Sequence, residues 1–169
     1  VGQTKFSEKI PEYVVSGMNK FQAISSRDQM TSELVESVTG NVPIKVLDPT
    51  LLVEFPKKSI DIKQPYILFY YCEKLPKKIK QQIFQYAKTN GLKVYGAGEC
   101  DKEYSDITVD ITPFEWVAMF QNAEYVFTGT FHGAVFSIIN RKPFNVYLTN
   151  QSRIKKVKAL LTDLNIQNR

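Results

Sequence analysis

The sequence predicts an α/β protein of Rossmann-like type, with a mainly parallel sheet and helices on both faces. Three observations predict it. Short apolar segments alternate with helical patterns, several helical patterns begin or end at capping residues, and one strand candidate, YILFYYC, is apolar almost without interruption. Alternating strands and helices imply parallel pairing through right-handed crossovers. A continuously apolar strand suits a sheet that is covered on both faces.

The early part of the chain reads as one β-α-β unit. FQAIS (21–25) predicts a strand, and the segment 27–40 predicts a helix, because apolar residues recur on one face and Gly40 is a natural stop. VPIKVLD (42–48) predicts a second strand that ends before Pro49.

The polar segment EFPKKSIDIKQ (54–64) contains a proline and shows no sustained period, which predicts a linker. We therefore interpret residues 1–53 as the trailing segment of an N-terminal domain and residues 65–169 as a C-terminal Rossmann-like domain.

After the linker, strands and helices alternate to the end of the chain. TPFE (112–115) is a capping-box pattern with a proline at the first helical position, and Ser152 is the predicted N-cap of the last helix. The predicted strands are 66–72, 92–98, 107–111, 124–128 and 143–148, and the predicted helices are 76–90, 113–122, 131–142 and 152–164.

Composition indicates a globular protein. The chain of 169 residues is 43% hydrophobic and 23% charged, and no apolar run reaches the roughly 20 residues that cross a bilayer. Cys72 and Cys100 have no neighbouring cysteine or histidine at metal-ligand spacing. We therefore expect no metal site and a reducing, cytoplasmic setting.

The net charge of +5 comes partly from lysine clusters on two predicted helices. No basic-aromatic motif accompanies them, so we expect no nucleic-acid partner. The pattern favours solvated helix faces, and contact with a phosphate-rich or membrane surface is the alternative. The lysines are Lys77, Lys78, Lys80, Lys155, Lys156 and Lys158.

The segment TGTFHG (128–133), hereafter the TGTFHG turn, holds the only histidine, His132. It connects a predicted strand to a predicted helix, and ligands of open parallel sheets collect at such turns. Helix N-termini favour anions, glycines allow close approach, and hydroxyls can donate hydrogen bonds. An imidazole there could bind an anion and donate a proton near neutral pH. The alternative is that His132 caps the helix or packs beneath Phe131.

EYVFTGTFHGAVFSIINRKPF resembles the signature segment of the polysaccharide pyruvyl transferase family. The segment ISSRDQMTSELVESVTG followed by VLDPTLL is similar to the family's middle part, and SRIKKVKALLTDLNIQNR resembles its closing part. The resemblance covers about residues 20–169 and implies a two-domain GT-B-like enzyme. It also implies phosphoenolpyruvate as donor, with no separate cofactor, and a sugar or lipid-linked saccharide as acceptor, in cell-wall or exopolysaccharide biosynthesis.

By the same resemblance, His132 matches the family histidine that contacts the donor and acts as general acid. Arg27 and Arg153 match basic positions that the resemblance assigns to the anionic groups of the donor. We predict that the donor is also bound by Thr128, Gly129, Thr130, Phe131, Gly133 and Ser152. Many relatives carry arginine where this chain has Thr130. The upstream half that would carry much of the acceptor cleft is missing, so this chain is expected to be an incomplete enzyme.

Several assignments stay open at the level of sequence. Arg27 could instead pair with Asp28 or Glu33, and Asp48 could form an ordinary Asx turn with Pro49. The general base could belong to an acidic cluster, Glu99, Asp101, Glu103 and Asp106, but none of these is assigned. Alternative functions are a nucleotide-sugar glycosyltransferase half and a noncatalytic binding domain. Peripheral membrane association and the oligomeric state also remain open.

Overall fold

The computed structural model of the protein describes residues 10–70, 75–97 and 110–166. The chain divides into two compact units. Unit 1 comprises Val1–Leu52 together with Ile154–Arg169, and unit 2 comprises Val53–Arg153. The end of the chain therefore groups with its beginning, whereas the domain assignment made from sequence stays a prediction.

Unit 1 is built around a small parallel sheet. Strand β1 (Ser25–Ser26) pairs with β2 (Ile44–Lys45), and helix α2 (Gln29–Thr39) connects them. Helix α1 (Glu12–Met18) precedes this β-α-β unit, and a 3-10 turn (Pro49–Leu52) follows it. Helix α6 (Gln151–Asp163) belongs to this unit from Ile154 onward.

Two features of unit 1 differ from the prediction. Helix α1 was not predicted, because it is short and none of its residues is buried, so no apolar stripe marks it. Strand β1 shares only Ser25 with the predicted strand 21–25, and β2 is shorter than the predicted strand 42–48. Phe21 and Val42, inside the predicted strands, are exposed. The helix prediction is confirmed: Asp28 caps α2, and Gly40 ends it in a left-handed conformation with a φ of +72°.

Unit 2 contains a four-stranded parallel sheet. In chain order its elements are β3 (Tyr66–Tyr70), α3 (Lys77–Thr89), β4 (Lys93–Gly96), α4 (Pro113–Asn122), β5 (Tyr125–Thr128), α5 (Phe131–Ile139) and β6 (Phe144–Val146). The strand order across the sheet is β4-β3-β5-β6. The predicted strand at 107–111 lies largely outside the described residues, as do Cys72 and Cys100.

Strand β3 is covered on both faces, as its continuous apolar sequence predicts. Tyr66 and Leu68 belong to a core cluster with α4 and α5, whereas Ile67 and Phe69 belong to a second cluster with α3. The Tyr66 hydroxyl donates to the Met119 carbonyl at 2.7 Å, and burial raises the pKa of this phenol. The parallel sheets and flanking helices confirm the predicted Rossmann-like α/β class.

The segment 54–64 contains neither helix nor strand, as predicted. It is nevertheless attached to the core, because Phe55, Ile60 and Ile62 pack against the cluster of Tyr66 and Leu68. These three apolar side chains therefore hold the irregular segment against the core of unit 2.

Candidate functional site

The strand order of unit 2 indicates that the candidate site lies at the carboxyl ends of its strands. From β3 the chain crosses to β4 on one side, and then returns to β5 on the other side of β3. Such a reversal is a topological switch point, and ligands of open α/β sheets bind beside it, at the carboxyl ends of the strands. The TGTFHG turn leaves β5 at this place, since Tyr70 of β3 and Thr128 of β5 are register partners.

The TGTFHG turn is joined to the end of β3 by hydrogen bonds. The Thr128 hydroxyl donates to the Tyr70 carbonyl at 2.8 Å, and the Gly129 amide donates to the same carbonyl at 3.1 Å. Thr128 is fully buried, so its hydroxyl holds the turn to the neighbouring strand. This interaction gives Thr128 a structural role, and its predicted role in donor binding stays a prediction.

Thr130 is the N-cap of α5. Its side-chain oxygen accepts the Gly133 amide at 2.9 Å, and its own amide donates to the Thr128 hydroxyl oxygen at 3.2 Å. A threonine at this position therefore starts the helix, which an arginine cannot do because its side chain has no acceptor. Thr130 therefore supplies a cap and no positive charge at the start of α5.

Position 133 requires glycine, because Thr128 and Thr130 lie too close to it for a side chain. A Cβ atom built on it would overlap the Thr128 hydroxyl oxygen, and it would lie 2.7 Å from the Thr128 Cβ and 2.8 Å from the Thr130 hydroxyl oxygen. Glycine therefore allows the first turn of α5 to lie directly on the end of β5.

His132 lies in the first turn of α5 and is exposed, and its imidazole stands edge-to-face against the Phe131 ring at 5.4 Å between centroids. The cap is Thr130, so the predicted alternative of a capping histidine is wrong. The imidazole thus lies at the switch point, at the positive end of the α5 dipole, where an anion is favoured.

An aromatic cluster holds α5 in place. Phe136 lies one turn after His132, and its ring packs against Trp116 at 4.9 Å and Phe55 at 5.1 Å between centroids. Trp116 also contacts Tyr70 at 5.2 Å, the residue whose carbonyl anchors the TGTFHG turn. Both ends of the turn are therefore supported by one set of packed rings.

The start of α6 lies at the same sheet edge, because it follows β6, the parallel neighbour of β5. The prediction of Ser152 as N-cap is wrong. The Asn150 side-chain oxygen accepts the amides of Ser152 at 2.9 Å and Arg153 at 3.3 Å, which makes Asn150 the cap. Ser152 and Arg153 are thus first-turn residues of α6, and both are partly exposed.

Arg27 belongs to unit 1, where its guanidinium donates to the carboxylate of Asp48. The predicted pairing with Asp28 or Glu33 is wrong, because Asp28 caps α2 and Glu33 accepts from Gln29. The predicted Asx-type turn at Asp48 is confirmed, since its other oxygen accepts the Thr50 amide at 3.1 Å.

Sequence reasoning missed two residues, Tyr70 and Asn150, and one contact, between Asp48 and Arg27, that shape these sites. Tyr70 acts through its carbonyl, which carries no side-chain signal. The pairing of Asp48 with Arg27 spans 21 positions, too far for a local pattern to show. Asn150 could have been found, because asparagine is as good an N-cap as serine.

The described residues contain no cluster of three or more His, Cys, Asp or Glu side chains that could hold a metal ion. The acidic candidates for the general base, Glu99, Asp101, Glu103 and Asp106, lie outside the described residues. Within the described part of the chain, no helix has both the length and the apolar character needed to cross a bilayer.

The fold and the capped, glycine-containing turn at its switch point define an α/β protein with a candidate ligand-binding site at the carboxyl ends of its parallel strands. The family model of the polysaccharide pyruvyl transferases matches residues 1–151. The chain belongs to this family. No curated protein and no solved structure matches it. Membership implies a transferase that acts with a pyruvyl donor and a saccharide acceptor.

Proposed function

We propose that the protein serves the transfer of pyruvate from phosphoenolpyruvate to two hydroxyls of a sugar, forming a ketal, in cell-wall or exopolysaccharide biosynthesis. In this proposal the chain carries the donor-binding half of a GT-B-like enzyme. The observation that supports it best is the exposed imidazole of His132 on a hydrogen-bonded turn at the switch point of the sheet, in a chain that belongs to the family.

The donor carries a carboxylate and a phosphate, so its site needs cations and N–H donors. The first turns of α5 and α6 both lie at the edge that follows β5 and β6, and each presents amides and the positive end of a helix dipole. His132 on α5 and Arg153 on α6 add side chains that can bind an anion.

The proposed reaction begins when the imidazolium of His132 protonates the methylene carbon of phosphoenolpyruvate. The adjacent carbon becomes electron-poor, and one sugar hydroxyl attacks it and loses its proton to a base. Loss of phosphate breaks the carbon–oxygen bond, and the second hydroxyl then attacks the same carbon and loses its proton. The products are the pyruvate ketal and inorganic phosphate, and no cofactor takes part. A bound anion favours the imidazolium form that acts as the acid.

The single histidine permits a direct test, because only one imidazole contributes to a histidine-selective NMR spectrum of the chain. We expect phosphoenolpyruvate to shift the His132 resonance in a saturable manner. Calorimetry on the same samples should show saturable binding that is weakened by roughly tenfold or more in His132→Ala, the scale of one lost charge-assisted contact.

The matched control is Lys88→Ala, which removes one exposed positive charge from α3 and should leave binding unchanged. If a nucleoside diphosphate moves the resonance and phosphoenolpyruvate does not, the glycosyltransferase alternative is favoured. If neither ligand moves it, the proposed donor site is wrong.

A further inference from the structure

Asp48 is a buried carboxylate whose two oxygens are held by different partners. One oxygen accepts the Thr50 amide at 3.1 Å and the Thr50 hydroxyl at 2.6 Å. The other accepts the Arg27 guanidinium, and only 3% of the Asp48 side chain is exposed. A buried carboxylate requires such partners, because removal from water is costly for an unpaired charge. The carboxylate is therefore fixed in orientation.

Arg27 is much more exposed than its partner, with 50% of its side chain accessible to solvent. A guanidinium has five N–H donors in a planar fork, and the hydrogen bond recorded for Arg27 among the described residues engages only one of its terminal nitrogens. The fixed carboxylate thus anchors one edge of the guanidinium and leaves donor capacity on the rest of the group.

The pair also lies where ligands of parallel sheets bind. Arg27 directly follows β1, and Asp48 follows β2 after two intervening residues. Because β1 and β2 are parallel, both residues lie at the carboxyl edge of the small sheet, beside the start of α2. By contrast, both partners of the Lys45–Asp163 ion pair are accessible to solvent, at 56% and 25%, as expected of an ordinary surface pair.

We propose that Asp48 is a positioning residue, which holds the Arg27 guanidinium ready to bind an oxyanion. This inference concerns unit 1 alone, and it rests on the proposed function for the identity of the oxyanion, which is the carboxylate or the phosphate of phosphoenolpyruvate. An anchored arginine loses less rotational freedom when it binds, so removal of the anchor should weaken binding even though Arg27 itself is unchanged.

The test compares donor affinity by calorimetry in Asp48→Asn, Arg27→Ala and the double variant. We expect Asp48→Asn to weaken phosphoenolpyruvate binding by roughly three- to tenfold, as expected for one mobile side chain that must be ordered on binding. We expect the double variant to bind no more weakly than Arg27→Ala, because Asp48 acts only through Arg27. Wild-type affinity in Asp48→Asn, or additive losses in the double variant, would overturn the proposal.

Asp28→Asn is the matched control. It removes the same charge from the residue next to Arg27, and asparagine preserves the N-cap of α2. Donor affinity should therefore not fall. An equal loss in Asp28→Asn and Asp48→Asn would indicate a general effect of charge and would contradict a specific anchor.

A readout that needs no donor is the ¹⁵N relaxation of the Arg27 Nε–H group. We expect this group to be ordered in the wild-type protein and in Asp28→Asn, and mobile in Asp48→Asn. If Asp48→Asn does not fold, Thr50→Ala loosens the carboxylate from its other side while both charges of the pair remain. It should give a smaller effect in the same direction, and unchanged order and affinity would overturn the proposal.

Binding of inorganic phosphate or of pyruvate shows whether Arg27 binds a phosphate or a carboxylate. The same two probes test this inference independently of the proposed function. If the wild-type chain binds either probe through Arg27 and Asp48 but does not bind phosphoenolpyruvate, the proposed donor is wrong and the anchored anion site stands. If phosphoenolpyruvate binds and neither variant weakens it, the donor stands and the positioning role is wrong. If no anion binds, both are wrong.

Discussion

Gly133 leaves no room for a side chain in the TGTFHG turn. Any Cβ at this position would meet Thr128 and Thr130, which are themselves joined to Tyr70 and to the start of α5 by hydrogen bonds. The start of α5 lies too close to the end of β5 for a Cβ atom at position 133. A side chain there could be accommodated only if the turn that carries His132 moved.

We expect Gly133→Ala to lower the free energy of unfolding by about 1–3 kcal/mol, the usual cost of an extra methyl group in a packed site. It should also weaken phosphoenolpyruvate binding, because displacement of Thr128 or Thr130 moves the first turn of α5. Urea denaturation and calorimetry measure the two effects.

Gly17→Ala is the control for this substitution. Gly17 lies inside α1, and a Cβ there would have no heavy atom within 4 Å. Alanine favours a helix over glycine by roughly 0.5–1 kcal/mol, so this variant should be neutral or slightly more stable. Destabilisation by both substitutions to the same extent would contradict the steric explanation for Gly133.

Helix α4 begins with a complete capping box. The Thr112 hydroxyl oxygen accepts the Glu115 amide at 3.3 Å, and the Glu115 carboxylate accepts the Thr112 amide at 2.7 Å. Backbone and side-chain hydrogen bonds from Thr112 lower the pKa of Glu115 below its usual value. Because the folded state prefers the ionised form, this contribution to stability is present above the unfolded-state pKa and is lost as the pH falls through the folded-state pKa.

We expect Glu115→Gln to remove that part of the acid sensitivity. Thermal unfolding measured from about pH 7 to about pH 3 should show a smaller decrease of Tm than in the wild-type protein. Glu36→Gln is the control, because Glu36 is an exposed glutamate on α2 and should leave the pH profile unchanged. If the Tm of Glu115→Gln decreased with pH as steeply as that of the wild-type protein, the capping box would not contribute to the acid sensitivity.

Element boundaries were predictable where the determining signal is local. The box at Thr112 and Glu115 and the stop at Gly40 are formed by residues a few positions apart, and the structure has both. At the start of α6 the local signal was ambiguous, because Asn150 and Ser152 are both capping residues. The ends of β1 and β2 depend on where pairing stops, which the apolar character of one segment does not determine.

The candidate site was likewise predictable only where its features depend on local sequence. The position of His132 at a strand-to-helix turn follows from the order of elements, since a parallel sheet places every such turn at one edge. The partner of Arg27 was not predictable, because the chain must first form β1, α2 and β2 before Asp48 reaches it. Local patterns therefore located the candidate groups, whereas tertiary structure decided their contacts.

At the scale of the whole molecule, the sequence predicted the alternation of strands and helices from β1 onward but not the grouping of the chain end with unit 1. Val157 and Leu160 of α6 are buried, as are Leu34 and Val35 of α2. The Lys45 ammonium also donates to the Asp163 carboxylate at 2.7 Å, which ties α6 to β2. Unit 1 is thus assembled from two distant parts of the sequence.

We therefore expect Leu160→Ala to weaken unit 1 selectively. Truncation of a buried leucine costs about 2–5 kcal/mol, through lost burial and the cavity left behind. Hydrogen exchange should accelerate at the α2 amides of unit 1, and much less at the β3 amides of unit 2, because compact units can open separately. Lys158→Ala changes an exposed residue on the same helix and should leave both rates unchanged. Equal acceleration in α2 and β3 would contradict a selective effect on unit 1.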